Sequence, residues 1–405
     1  MSVEPMEPFF KEIKEPTELI MTGNYAVAGA VTQTDPDIIC AFPITPQTQS
    51  VEGLADVVNQ GRLKASFVNV ESELAAMAYS TGAALTGARV FTATASQGYL
   101  LMCEALPMAV GWRLPLTMMI SARSFNSPNL NIWNGWEFSL FDHGWNQIMS
   151  ENVQETYDAA IIAVMISNKC MFPTAFIHDG FITSHSMQKF FPVPDEAVRK
   201  MTPNLQKHKV DVNNPGVWGG LASPEYFMEE RFAIDKAKKD VPAKIDEAFV
   251  EFAKVTGRKY DQIETFNLAG KKQAIITMGS MCGTMLGWML KNPDVGLIKL
   301  RTYRPFPTER LRKILADNKI ERVAVMEKID AVGSPLPPVG ASVMPSTYSL
   351  GIPMRSFIVA QGGRDVTYDE FDQVKKKLLK LTKIEPPFYD WIGLREKADK
   401  LYEGL

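Results

Sequence analysis

Residues 41–48 read Ala41-Phe42-Pro43-Ile44-Thr45-Pro46-Gln47-Thr48, directly after the apolar, β-prone run Ile38-Ile39-Cys40. Two prolines bracket Ile44-Thr45. Proline fixes its own φ and drives the residue before it out of the helical region. The chain therefore leaves a buried strand, turns rigidly and holds the Thr45 hydroxyl in one place. Gln47, Thr48 and Ser50 then open an amphipathic stretch, where a helix N-terminus offers N–H groups to an anion. An open α/β sheet binds its ligand outside the carboxyl ends of its strands. The same residues also read as a plain strand-to-helix turn, so the flanking sequence has to decide.

Working outward, short apolar runs alternate with helical patterns from Gly23 to Ser186. The strand candidates are Asp37–Ala41, Ser66–Val70, Val90–Ala93, Leu116–Ile120 and Thr174–Ile177. Between them lie helix candidates at Asn24–Thr32, Gln49–Asn59, Glu73–Thr86, Gly98–Gly111 and Gln154–Ser167. That alternation predicts an α/β fold with a doubly wound parallel sheet. Residues 187–268 carry few strand signals; they include a charged helix from Arg231 to Lys254 and read as a connecting segment. The alternation returns at Gln273–Met278, a helix to Leu290, Gly296–Arg301 and Arg322–Glu327, which predicts a second, smaller α/β domain. The expected organisation is an N-terminal arm over 1–22, a first domain over 23–186, the connector over 187–268, a second domain over 269–390 and a tail over 391–405.

A chain of 405 residues exceeds what one core usually supports, which agrees with two domains. Apolar residues at 46% and charged residues at 22% are ordinary for a globular protein. A net charge of −3 without a long basic run argues against nucleic acid as a partner. No apolar run reaches the roughly 18 residues needed to span a bilayer. The acidic, proline-broken start does not read as a targeting peptide. A soluble, cytoplasmic protein is expected. The cysteines at 40, 103, 170 and 282 never form a C-x-x-C pair, and the histidines at 143, 178, 185 and 208 have no metal-ligand spacing. Neither a zinc site nor an iron–sulfur cluster is expected from this chain alone.

Asn69-Val70-Glu71-Ser72-Glu73 follows the second strand and opens a helix rich in small residues. A carboxylate in a first helical turn is favoured by the macrodipole, which is the bland reading of Glu73. The apolar helix behind it promises burial, and a buried glutamate needs a partner or a job. Thr92-Ala93-Thr94-Ala95-Ser96-Gln97-Gly98 is a small-residue turn that resembles a phosphate cradle without its glycine pattern or lysine. Arg123 ends the next strand, at the same sheet edge as Thr45. A guanidinium there suits a carboxylate in bidentate geometry, and a surface ion pair is the competing reading. Residues 126–147, NSPNLNIWNGWEFSLFDHGWNQ, then place three tryptophans and two phenylalanines in one loop. An aromatic-walled pocket and a subunit contact each account for it.

Together these segments resemble the α subunit of the 2-oxoacid:ferredoxin oxidoreductases, the pyruvate:ferredoxin oxidoreductase family. The strings that carry the resemblance are FPITPQT, VESELAAMA, FTATASQGYLLM, GWRLP, SARS and NIWN, with LIKLRTYRPFP and GGRDVT further on. The match runs over about 20–185 and 270–370. The resemblance implies a pyrimidine-type thiamine diphosphate domain followed by a transketolase-C-terminal-like α/β domain. It implies oxidative decarboxylation of a 2-oxoacid with acyl transfer to coenzyme A. Glu73 would bond the pyrimidine N1′ and favour the tautomer that activates the cofactor. Pro43, Ile44, Ser96 and Gln97 would line the cofactor, and Thr45 and Arg123 would hold the substrate carboxylate.

The departures also carry information. The GDG…N motif for pyrophosphate and Mg²⁺ is missing, and His178-Asp179-Gly180 does not replace it. The resemblance therefore implies half of an active site. A β subunit would bring the rest of the thiamine diphosphate site, Mg²⁺ and a [4Fe-4S] cluster; γ and ferredoxin-like subunits would complete the complex, and ferredoxin or an NAD-linked acceptor would take the electrons. Pyruvate enzymes of the family often read Asp-His-Ser-Asp where this chain has Gly135-Trp136-Glu137-Phe138. Trp133, Trp136 and Phe138 are then candidates to stack on a larger or aromatic 2-oxoacid such as phenylglyoxylate. A pyruvate enzyme, a rebuilt subunit contact, a non-catalytic scaffold subunit and a transketolase-like transferase are the alternatives.

Overall fold

The structure is a computed structural model that describes residues 5–127, 129–206, 209–396 and 398. The first four residues of the expected arm, His208 and most of the expected tail lie outside the described residues. The first half of the chain runs β1 (Leu19–Thr22), α1 (Gly23–Gln33), β2 (Ile38–Ala41), α2 (Thr48–Asn59), β3 (Ser66–Asn69) and α3 (Glu73–Leu85). It continues through β4 (Val90–Thr94), α4 (Ser96–Met102), α5 (Leu106–Gly111), β5 (Thr117–Ala122), β6 (Asn146–Met149), α6 (Val153–Cys170) and β7 (Thr174–Asp179). Next come β8 (Met187–Phe190), α7 (Asp195–Met201), α8 (Pro224–Lys238) and α9 (Val241–Thr256).

The second half runs β9 (Ile263–Phe266), β10 (Gln273–Thr277), α10 (Met281–Met289), β11 (Val295–Leu300), β12 (Thr302–Arg304) and α11 (Thr308–Asp317). It ends with β13 (Arg322–Glu327), α12 (Pro338–Tyr348), β14 (Met354–Ile358), α13 (Tyr368–Leu378) and β15 (Tyr389–Trp391). Among the described residues no helix is long and apolar enough to cross a membrane.

The first sheet has the order β12-β6-β7-β5-β4-β2-β3, with β2 to β7 parallel and β12 antiparallel on the β6 edge. The second has the order β15-β14-β13-β10-β11-β9, parallel except for β9. Every residue of β4, β5 and β7 is buried, as expected for central strands covered by helices on both faces. This is the doubly wound architecture that the alternation predicts. Helix α1 is built from small residues and packs between α2 and α6. A Cβ at Gly29 would overlap the ring of Phe9, so the N-terminal arm can seat that ring only on a glycine.

Several elements differ from the sequence-based expectation. The helix over Gly98–Gly111 is two helices, because Pro107 in the first turn of α5 has no N–H to continue α4. Pro242 divides the expected charged helix into α8 and α9 in the same way. The arm joins residues 187–190 in a two-stranded sheet: β1 runs antiparallel to β8, with Leu19 opposite Phe190. Residues 187–268 start with β8 and end with β9, which joins the second sheet. Strand β12, which follows β11 of the second sheet, crosses back to complete the first.

Buried charges tie the second sheet to the start of α6. Lys299 bonds Glu155 at 2.6 Å and Glu151 at 2.7 Å. Arg301 grips Glu155 bidentately at 2.8 and 2.9 Å and reaches Glu264 at 2.8 Å. Burial alone would raise the Glu155 pKa, but these two cations hold it down at about 2.

Candidate active site

Four neighbouring strands, in the spatial order β5-β4-β2-β3, deliver their following residues to one carboxyl edge. These are Arg123, the Ser96–Gly98 turn, the Pro43–Pro46 turn and Glu73. After β2 the corner is fixed by polar contacts: Gln47 Nε2 donates to the Phe42 carbonyl at 2.9 Å and Asn24 Nδ2 to the Pro46 carbonyl at 2.7 Å. Pro43 and Thr45 face outward, and Ile44 is half-buried.

Arg123 is only 6% exposed. Its Nη1 donates to the Thr45 carbonyl and its Nε to the Asn131 carbonyl, both at 2.8 Å. Burial lowers its pKa. Two backbone oxygens thus orient the guanidinium, and Nη2 is left without a hydrogen-bond partner among the described residues. The sequence places Thr45 and Arg123 at one edge; the structure brings them into direct contact.

Glu73 is the first residue of α3, which Ser72 caps by accepting the Ala75 N–H at 3.2 Å. It is 7% exposed, and its carboxylate forms no hydrogen bond among the described residues. Gly98 lies against it: a Cβ there would stand 2.5 Å from Glu73 Oε1 and 2.7 Å from Thr94 Oγ1. The hydroxyls of Thr92 and Thr94 are buried and also unpartnered in the structure. A buried acceptor without a donor is costly unless something supplies one. The unpaired Glu73 carboxylate and the orphaned Thr94 hydroxyl, beside a position that only glycine leaves open, fit a polar nitrogen heterocycle.

Ser96 adopts φ +47° and donates to the Ser124 carbonyl at 2.7 Å, with the half-buried Gln97 amide beside it. This links the Glu73–Gly98 contact to the residue that follows Arg123. Among the loop aromatics, Trp133 is 48% exposed and packs on Phe181 at 4.4 Å. Trp136 and Phe138 are elsewhere. Trp136 is fully buried, its indole N–H bonded to Asp179 at 2.7 Å, and Phe138 meets Tyr303 edge-to-face at 5.9 Å. Both fill the seam between the two halves and do not wall a pocket; they are core because the second half of the chain packs on them.

The sequence reading missed that seam's polar centre. Asp179, at the end of β7, accepts from Asn134 at 3.0 Å, the Ser280 backbone at 2.9 Å, the Ser280 hydroxyl and Lys328 at 3.2 Å, besides Trp136. Only the strand-end carboxylate signals it in sequence. Glu137 is also buried under the seam; desolvation pushes its carboxyl up to about 7, against hydrogen bonds that favour the anion. His178 is a satisfied core histidine between Ser121 and Thr156, and burial pushes its pKa down to about 3.

A doubly wound sheet with an orphaned carboxylate and an oriented arginine at its carboxyl edge defines a cofactor-dependent α/β enzyme chain. Comparison with known proteins makes the class specific. Residues 29–249 match the family described as pyruvate flavodoxin/ferredoxin oxidoreductase, thiamine diP-bdg, and residues 272–371 match pyruvate:ferredoxin oxidoreductase core domain II. Pyruvate synthase subunit PorA of Pyrococcus furiosus is 38% identical over 94% of this chain and 98% of its own. Ketoisovalerate oxidoreductase subunit VorA of Pyrococcus horikoshii is 33% identical over 90% and 95%. In fold, the chain resembles 2-oxoglutarate:ferredoxin oxidoreductase from Magnetococcus marinus, with TM-score 0.68 at 19% identity. That likeness covers 90% of this chain and 66% of the other. The chain belongs to the α subunits of the 2-oxoacid:ferredoxin oxidoreductase family, and its match to the family's thiamine diphosphate-binding domain spans residues 29–249.

Proposed function

We propose that this chain is one half of the active site of a CoA-acylating 2-oxoacid oxidoreductase, completed by a β subunit in a cytoplasmic complex. The observation that carries the reading is the unpaired, buried Glu73 carboxylate facing Gly98 beside an arginine whose Nη2 has no partner. When bound, thiamine diphosphate supplies the nucleophilic carbon and the electron sink that decarboxylation of a 2-oxoacid needs.

The chain's own residues do the rest. Glu73 would hold the pyrimidine through a hydrogen bond at N1′, accepting from N1′–H in the tautomer that activates the cofactor, and its low-dielectric setting strengthens that bond. Arg123 presents Nη2, and Thr45 its hydroxyl, to the substrate carboxylate. Pro43 and Ile44 form the rigid rim of the site, and Ser96 and Gln97 fix the turn under the cofactor. Mg²⁺, the pyrophosphate contacts and [4Fe-4S] clusters fall to the β, γ and ferredoxin-like subunits. Ferredoxin or an NAD-linked carrier takes the electrons.

The substrate we favour is a small aliphatic 2-oxoacid of pyruvate to branched-chain size. Trp136 and Phe138 are committed to the seam, which leaves Trp133 as the one exposed ring of the three, and the relatives are named for pyruvate and ketoisovalerate. In the assembled complex, Glu73→Ala is expected to lower turnover by about 10²-fold or more with assembly retained. Wild-type turnover in that variant refutes the reading. A panel of pyruvate, 2-oxoisovalerate and phenylglyoxylate tests the substrate class; a tenfold preference for phenylglyoxylate restores the aromatic alternative.

A further inference from the structure

Gln361 and the first two residues of the GGRDVT string, Gly362-Gly363, turn directly onto the loop that follows Arg123. The Gly362 N–H donates to Ser124 Oγ at 3.1 Å, and the Gly362 carbonyl accepts from Asn131 Nδ2 at 3.3 Å. Gln361 Nε2 reaches Glu137 Oε1 at 3.3 Å. Gly363, at φ +88°, comes so close that a Cβ would collide with Trp133 Cβ. Only glycine combines that dihedral with that approach.

Asn131 is the pivot. Its carbonyl accepts from Arg123 Nε at 2.8 Å, its Oδ1 caps the Trp133 N–H at 2.7 Å, and its Nδ2 points to the turn. The same residue therefore holds the arginine with its backbone and the second domain with its side chain. Ser124, adjacent to Arg123, is held from two directions: its N–H by the Trp133 carbonyl at 2.9 Å and its hydroxyl by Gly362. The turn grips the loop on both sides of the guanidinium's anchor.

We propose that the Gln361–Gly363 turn positions Arg123 for the substrate carboxylate, acting through Asn131 and Ser124. This rests on the reading of Arg123 as the carboxylate-binding residue. A positioning role makes the second domain a determinant of 2-oxoacid affinity although it supplies none of the proposed contacts to substrate. Loss of the grip frees the loop, and an arginine displaced by a fraction of an ångström binds a planar carboxylate less well.

The test is steady-state kinetics of the assembled complex. Asn131→Ala removes one hydrogen bond to the turn and is expected to raise the 2-oxoacid KM by about two- to tenfold. The KM for coenzyme A is expected to stay within its wild-type error. In an Arg123→Ala background the same substitution is expected to have no further effect on the 2-oxoacid KM. An unchanged KM in Asn131→Ala, or an equal rise in both backgrounds, overturns the proposal. If Arg123→Ala itself leaves the 2-oxoacid KM unchanged, the carboxylate reading fails and takes the proposal with it, an outcome told apart by that single variant. Should Asn131→Ala fail to assemble, Gln361→Ala keeps the pivot in place and is expected to raise the same KM; no rise is again fatal.

Discussion

Replacing Asp179 by alanine removes the centre of the seam between the two sheets. Its partner Lys328 is 1% exposed, and after the substitution its ammonium keeps, among the described residues, only the Ser280 hydroxyl at 3.2 Å and the face of Trp136 at 5.8 Å. Breaking a buried ion pair from one side costs about 3–5 kcal/mol, because the remaining charge stays in a low dielectric. The Trp136 indole and the Ser280 backbone lose their acceptor as well, while Asn134 still reaches the Ala122 carbonyl at 3.1 Å. Water entering the vacated space offsets part of that loss, so a net loss of about 4 kcal/mol is expected. Against a typical stability of about 5–15 kcal/mol this is severe. Urea unfolding followed by tryptophan fluorescence reads it, since Trp136 sits in the seam. Asp179→Ala combined with Lys328→Met removes the stranded charge and is expected to recover at least half of the loss. A single variant within about 1 kcal/mol of wild type, or a double variant no better than the single, refutes the reasoning.

Two further outcomes follow from the site. Gly98→Ala drives a methyl group against Glu73 Oε1 and Thr94 Oγ1; turnover of the assembled complex is expected to fall about 10²-fold, the cost of an ångström-scale displacement, and wild-type activity would show that Glu73 does not need its place. Glu137 has a native pKa near 7, raised from 4.5 by burial. Its proton therefore stabilises the native state fully below about pH 4.5, and that contribution is lost as pH rises through 7. Glu137→Gln removes the dependence, so the variant is expected to gain on wild type by about 3 kcal/mol between pH 4.5 and 8. Glu327, also raised to about 7, is common to both proteins and cancels in the difference. A difference that stays flat over that range refutes the assignment.

The parts of the site legible in sequence are those whose signals are local. Thr45, Glu73 and Arg123 each follow a strand whose apolar run and turn chemistry lie within a few residues. The sheet edge they share follows from the alternation alone. What the sequence hid is non-local. Strands β6 and β12 are too short to show a period, and they pair across more than a hundred and fifty positions. Trp136 and Phe138 have the composition of a pocket wall, and only contact with Asp179, Lys328 and Tyr303 makes them core. Composition reports that a loop is apolar; it does not report which surface the loop is apolar toward. The breaks at Pro107 and Pro242, by contrast, are local signals, and the helical pattern on either side of each proline masks them.

The return of β12 to the first sheet has a consequence for synthesis of the protein. Until Arg304 has left the ribosome, β6 is the outermost strand of an otherwise finished sheet, with its edge amides and carbonyls unpaired. Such an edge invites pairing with any extended peptide nearby. The nascent chain thus carries a sticky margin through the whole translation of α7 to β11, and a polypeptide released in that interval keeps it for good. Gene fragments that stop between the two sheets should therefore be recovered as aggregates.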